Sequence, residues 1–275
     1  MIDDPYPSDW RELQEGVCRL FGEIGLSAQT EKVLTTPRGV VEVDVYAVDE
    51  ASVDRIQYIV ECKNWSTAIP KTVVHAFATV MAETGANIGF IVSQQGLQSG
   101  AELYTNSTNI IGMTYLELQQ RYLQLWWSRF FCPYVGDVAD DLRQYIEPVN
   151  NFRERKVELL ANDAKERFLA LQERHAAFGM SMSLLNAGRL MQIGMFPSAK
   201  QKLLTEPPNF QPFRMALEHL YPNYPWTAQT FRELLGEIEA NVMTATREFN
   251  SVFGRNIFMD EDGPPTLTRS GKRVA

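Results

Sequence analysis

The sequence predicts a three-layer α/β/α domain with a mixed sheet, followed by a mostly helical domain. Three observations lead there. Over the first 120 residues, apolar positions switch between helical and strand-like spacing. Strand patterns cease after Thr114, and the residues beyond it carry helical spacing only. The length of 275 residues has room for two ordinary domains. The expected division is 1–120, 121–258 and a disordered tail over 259–275, where Gly263-Pro-Pro265 stands among few apolar groups.

Each element has a local reason. Asp9-Trp-Arg-Glu12 has capping-box spacing, and Leu13, Val17, Leu20, Phe21 and Ile24 come next at helical intervals up to Gly25. Val41–Val48 alternates with period two, Ile56–Lys63 is a second strand, and Asp49–Arg55 is their hairpin loop. Pro70 and Lys71 open a helix carrying Val74, Phe77, Ala78 and Met81, which ends near Gly85. Ile88–Ser93 is short and apolar, a central strand; Gly100–Asn106 is a helix and Ile110–Thr114 the last strand. The order is helix, strand, strand, helix, strand, helix, strand, with antiparallel and parallel pairings in one sheet.

In the second half, Tyr115–Phe131 is apolar, aromatic and helical, and Pro133-Tyr-Val-Gly136 interrupts it. Phe152–Phe178 is a long charged amphipathic helix, with shorter helices over Ser183–Ile193 and Ala199–Leu204. Pro207-Pro208 and Pro212 mark a break, and Thr227–Phe253 carries a clear apolar stripe.

Composition narrows the function classes. Hydrophobic residues are 45% and charged residues 22%, an ordinary globular balance. A net charge of −8 excludes a simple basic nucleic-acid coating protein and a polybasic membrane binder. Cys18, Cys62 and Cys132 form neither a disulfide framework nor a zinc spacing. The first residues lack the pattern of a signal peptide, and no apolar run reaches the length of a membrane span, so a soluble, cytoplasmic protein is expected. His75, His175 and His219 lie far apart and read as structural, and no Ser/His/Asp order, phosphate loop or dinucleotide motif stands out.

The residues that carry chemistry are Asp44, Glu61 and Lys63. Glu61 and Lys63 share one face of their strand, and Cys62 points the other way. If the two strands form a hairpin, Asp44 lies beside Glu61. Two carboxylates and the Cys62 backbone carbonyl then make an all-oxygen pocket suited to Mg2+, with Mn2+ as a substitute. Such an ion acidifies a water and neutralises charge on a phosphodiester, and Lys63 orients that water. Glu15 on the first helix is an added acid for the metal shell, with Glu12 as its competitor.

Val43-Asp-Val45 followed by Val60-Glu-Cys-Lys63 resembles the Asp…Glu-x-Lys signature of the PD-(D/E)XK nuclease superfamily, most closely the Mrr-type restriction endonuclease domain. Leu13-Gln-Glu15 through Gly25, Val73–Phe77, Gly89-Phe-Ile-Val-Ser93, Gly100-Ala101, Asn109-Ile-Ile111 and Leu116-Glu-Leu118 are similar to the family's successive segments, over about residues 10–118. An isolated Glu-x-Lys is common in proteins; Asp44 placed 17 positions before Glu61 within this element order is the specific part. Val41-Glu-Val43 stands where the family often has a glycine, and no winged-helix pattern precedes the domain. The resemblance implies a metal-dependent DNA endonuclease in prokaryotic restriction or anti-phage defence. The helical region would then serve dimerisation, target sensing or contact with a partner subunit.

Charge weighs against that reading. Residues 1–120 hold 7 Lys and Arg against 16 Asp and Glu, a net −9, whereas DNA binding rests on phosphate neutralisation. Weak intrinsic DNA affinity with steep salt dependence is therefore expected, unless basic residues of the helical half (Arg153, Arg155, Lys156, Lys165, Arg167) complete a groove. The alternatives are a catalytically inactive nuclease fold used as a scaffold or interaction module, and an RNA-cleaving enzyme. Gln94, Gln95 and Gln98 read as a polar loop more than as DNA contacts, and Trp126-Trp127 with Phe130-Phe131 as a buried helix more than as a base-stacking platform.

Overall fold

The structure is a computed structural model that describes residues 1–187 and 206–259. The chain divides into two compact units, Met1–Phe130 and Phe131–Ala275.

The first unit opens with α1 (Trp10–Glu23), whose N-cap Asp9 accepts the Glu12 N–H at 2.9 Å. Glu12 reaches back to the backbone and hydroxyl of Ser8, at 2.6 and 2.7 Å. These bonds to Ser8 hold its carboxyl below the ordinary range. Then come β1 (Ser27–Thr36), β2 (Gly39–Val48), β3 (Gln57–Lys63), α2 (Lys71–Thr84), β4 (Ile88–Ser93), α3 (Ser99–Thr105) and β5 (Ile110–Thr114). The sheet order is β1-β2-β3-β4-β5. The first three strands pair antiparallel, whereas β3, β4 and β5 are parallel neighbours joined through α2 and α3. α4 (Tyr115–Trp126) is next, capped by a reciprocal box between Thr114 and Glu117.

Side-chain alternation gives the sheet two covered faces. On one, Phe21 of α1 packs against Tyr58, Phe90 and Tyr122, with ring centroids 6.1, 6.0 and 5.5 Å away. On the other, Ile59 and Ile91 bury against Val74, Phe77 and Met81 of α2 and Ala101 of α3. This is the three-layer α/β/α arrangement with a mixed sheet. It holds one strand more than the pattern predicts. β1 is a sheet-edge strand of polar sequence, Ser-Ala-Gln-Thr-Glu-Lys-Val-Leu-Thr-Thr, and most of its residues are exposed, so it carries no apolar alternation to read.

The second unit is helical in its described residues. It comprises α5 (Cys132–Val138), α6 (Asp140–Ile146), α7 (Asn151–Glu158), α8 (Asn162–Ser183), α9 (Phe210–Leu220) and α10 (Phe231–Phe253). The helix expected over 115–131 is regular to Trp126, and Trp127–Phe131 forms a π turn. Pro133 is the second residue of α5, directly after the π turn, and the chain stays helical through it. Pro212 similarly lies in the first turn of α9 rather than at a break. The single helix expected over 152–178 is two, α7 and α8, parted at Leu159–Ala161. The helix expected over Ala199–Leu204 and the tail from residue 260 lie outside the described residues. Tyr145 centres the core, its ring stacked at 5.0 Å on Phe249.

His175, buried on α8, sets a pH dependence. Its Nδ1 lies 2.5 Å from the Tyr224 hydroxyl and its Nε2 2.7 Å from the Glu248 carboxylate. A neutral ring satisfies both, with Nε2–H donating to Glu248 and Nδ1 accepting from Tyr224. Burial pulls the imidazole below its ordinary 6.5, against the opposing hydrogen bond and charge of Glu248. Between 6.5 and that depressed value the unfolded chain binds more protons, so stability rises with pH through the window. The melting temperature of the wild type should therefore fall more steeply than that of His175→Gln between about pH 8 and pH 5. Parallel profiles would contradict this.

Candidate active site

The site is built where the β2–β3 ladder ends. That ladder pairs Tyr46 with Ile59 and Val45 with Val60. Asp44 is the next residue of β2 after Val45, beyond the last regular pair, and Glu61 is the next residue of β3 after Val60. Lys63, two positions on from Glu61, shares its face of β3. Cys62 faces the other way and is buried. Burial first, then the charges of Asp44 and Glu61, push its thiol well above 9.0, so it is a neutral core residue and not a nucleophile.

Beyond Val45–Val60 the Asp44 side chain replaces the ladder. Its Oδ2 accepts the Cys62 N–H at 2.7 Å. The N–H and C=O of one strand residue leave on the same edge, so the Cys62 carbonyl is directed toward β2 as well. On the other side of Asp44, the β1–β2 ladder runs Thr30–Val45 and Lys32–Val43 but skips Glu31, whose φ of 51° is left-handed. At that step the Asp44 carbonyl accepts from Gln14 Nε2 at 2.5 Å. Gln14 is a buried polar residue of α1, so α1 and β3 together fix Asp44 in place.

Lys63 Nζ lies 2.5 Å from Glu61 Oε1, both side chains partly buried. Burial alone would lower the Lys63 pKa, but the Glu61 hydrogen bond and charge, then the Asp44 charge, together outweigh it and raise it above 10.5. The ammonium is therefore kept. An open groove of about 410 Å³ adjoins these groups, lined by Asp9, Trp10, Asp44, Cys62, Lys63, Asn64 and Trp65. Asn64 is held by Gln94, whose Nε2 donates to its Oδ1 at 2.6 Å.

The structure thus brings Asp44, Glu61, Lys63 and the Cys62 backbone to one strand end. Glu15 is exposed on α1, while its neighbour Gln14 is buried and bonded to Asp44. Glu12 is engaged with Ser8. Gln14 escapes a search for acids, although it sits beside Leu13 and Val17 on the apolar stripe, where a polar residue must find a partner. Sequence patterning gives no reason to choose Trp10 and Trp65 either, because the groove joins them only in three dimensions. Trp126, Trp127 and Phe131 are fully buried, which removes them as a stacking platform. Gln98 donates to the Ala68 carbonyl at 3.4 Å.

The donor set bears on a metal. Two carboxylates and a peptide carbonyl are hard oxygens, and Mg2+ typically takes only one or two protein carboxylates and keeps several waters. The residues present fit that ion. Among the described residues, no group of three or more His, Cys, Asp and Glu side chains is placed to hold a metal ion, so the side-chain donors here are two carboxylates at most.

Residues 7–122 match the family Mrr_cat, described as restriction endonuclease. The match covers most of the first unit and leaves the second unit outside it. No curated protein matches the chain. A solved structure that resembles it is the crystal structure of a protein of unknown function, AF1548, with 12% identity and a TM-score of 0.36, covering 67% of this chain and 98% of that one. Among the described residues, no helix is long and apolar enough to cross a membrane.

Asp44 has a structural duty separable from its charge. Asp44→Ala leaves the partly buried Cys62 N–H without its acceptor and should cost about 1–3 kcal/mol in denaturant unfolding. Asp44→Asn keeps an amide oxygen for that N–H and should lose less. Equal losses in the two variants would contradict the assigned bond.

Proposed function

We propose that the first unit is a Mg2+-dependent DNA endonuclease, Mn2+ being able to substitute. The single observation that carries this reading is the convergence at the end of the β2–β3 ladder of Asp44, bonded to the Cys62 N–H, with Lys63, bonded to Glu61, on one groove, within a stretch that matches a nuclease family. When bound, the ion supplies an acidified water and charge neutralisation for phosphodiester hydrolysis. Asp44, Glu61 and the Cys62 carbonyl are the groups that would hold it. The Cys62 N–H fixes the Asp44 carboxylate, and Gln14 fixes the Asp44 backbone, so the acid does not have to be ordered when substrate arrives. Lys63 orients the attacking water and stabilises the added negative charge on the phosphate. Glu61 keeps the Lys63 ammonium beside the groove. Glu15, expected to complete the metal shell, has no part in this reading, and Gln14 takes a positioning role.

The family points to restriction of foreign DNA or anti-phage defence, with the helical unit supplying dimerisation, sensing or contact with a partner subunit. A competing reading, a nuclease fold kept as a non-catalytic interaction module, draws on the neutral Gln14 in α1 and on the closed Glu61–Lys63 pair. Plasmid nicking with Mg2+ or Mn2+ separates the two. Lys63→Ala should lose about 10²- to 10³-fold in rate, and Asp44→Asn at least as much. Equal nicking by wild type and both variants would identify a contaminant and remove the nuclease reading.

A further inference from the structure

The groove beside Asp44 and Lys63 has an aromatic rim. Trp10, the first residue of α1, and Trp65, two residues beyond Lys63, both line it. They are 48% and 42% exposed, whereas Trp126 and Trp127 are fully buried. Both indoles offer a large, rigid ring to whatever occupies the groove, and they come to it from separate elements. Trp10 also has the Arg11 guanidinium 5.2 Å from its ring centroid, a cation placed at the same rim.

Charge restricts what the rim can hold. With 7 Lys and Arg against 16 Asp and Glu over residues 1–120, this unit is poorly equipped to hold a duplex by phosphate neutralisation. Stacking on aromatic rings is the other general source of nucleic-acid affinity, and it needs bases that are out of the duplex stack. Asn64, between Lys63 and Trp65, is held at both ends, its Oδ1 accepting from Gln94 and its Nδ2 donating to the Pro7 carbonyl, so this edge of the groove is fixed.

We propose that Trp10 and Trp65 are a base-stacking pair, and that the groove takes single-stranded or locally unpaired DNA with bases on these indoles and the scissile phosphate toward Asp44 and Lys63. The proposal rests on the nuclease reading for the identity of the ligand, and it names the substrate form that reading leaves open.

The test is binding by the full chain, in EDTA so that no cleavage occurs. Fluorescence anisotropy tracks a labelled single-stranded oligodeoxynucleotide and a duplex of the same sequence, for wild type, Trp10→Ala, Trp65→Ala and the ring-retaining Trp10→Phe and Trp65→Phe. Each alanine variant should bind the single strand about 5- to 150-fold more weakly, the range of one lost base–aromatic stack. The phenylalanine variants should retain most of the affinity. The slope of log affinity against log salt should not change, because no phosphate contact is removed. Unaltered single-strand binding by both alanine variants, or an equal loss on the duplex, would overturn the proposal. The nuclease reading stands or falls separately on nicking by Lys63→Ala.

Discussion

The candidate site depends on one hydrogen bond, from the Cys62 N–H to the Asp44 carboxylate. Regular pairing of β2 and β3 stops at Val45 and Val60, and without a substitute the Cys62 amide would be left partly buried and unsatisfied. A carboxylate is a strong acceptor for that group, stronger than a neutral oxygen. The same bond ties the acid's position to the register of the sheet, and the register in turn places Glu61 and Lys63. The irregularity of β1 at Glu31 and the Gln14 side chain complete the frame from the opposite side.

That frame accounts for how a net-acidic unit keeps a cation at its working edge. Two carboxylates at one strand end repel each other unless a positive charge lies near them. Lys63 supplies it, and their charges hold its proton against the pull of burial. A divalent cation would meet the same need more fully, which is why the donor set and the local charge point the same way. The second unit obeys a different logic. There a neutral His175 is satisfied on both nitrogens inside an aromatic core, a structural use of a titratable residue.

Much of this is legible in the sequence because it is local. The Asp9 cap, the alternation in Val41–Val48 and the apolar runs at Ile88–Ser93 and Ile110–Thr114 each encode their own element. β1 is not legible, since an exposed edge strand has no need of apolar alternation. The split between α7 and α8 is hidden because Leu159, Leu160 and Ala161, all helix-favouring residues, run through it. In the site, Asp44, Glu61 and Lys63 can be read from strand phase and spacing. Gln14 cannot be chosen over Glu15, because one residue along a helix turns a side chain through about 100° and only the packed helix fixes which faces the sheet. The Trp10–Trp65 rim joins a helix start to a loop 55 positions away, and no local pattern marks such a pair.

The most direct measurement is a crystal structure of the full chain grown with Mn2+ and recorded at the manganese absorption edge. The account predicts an anomalous peak bounded by the Asp44 and Glu61 carboxylates and the Cys62 carbonyl, lost in Asp44→Asn. No peak there at saturating Mn2+, with Lys63 still closed on Glu61, would contradict it.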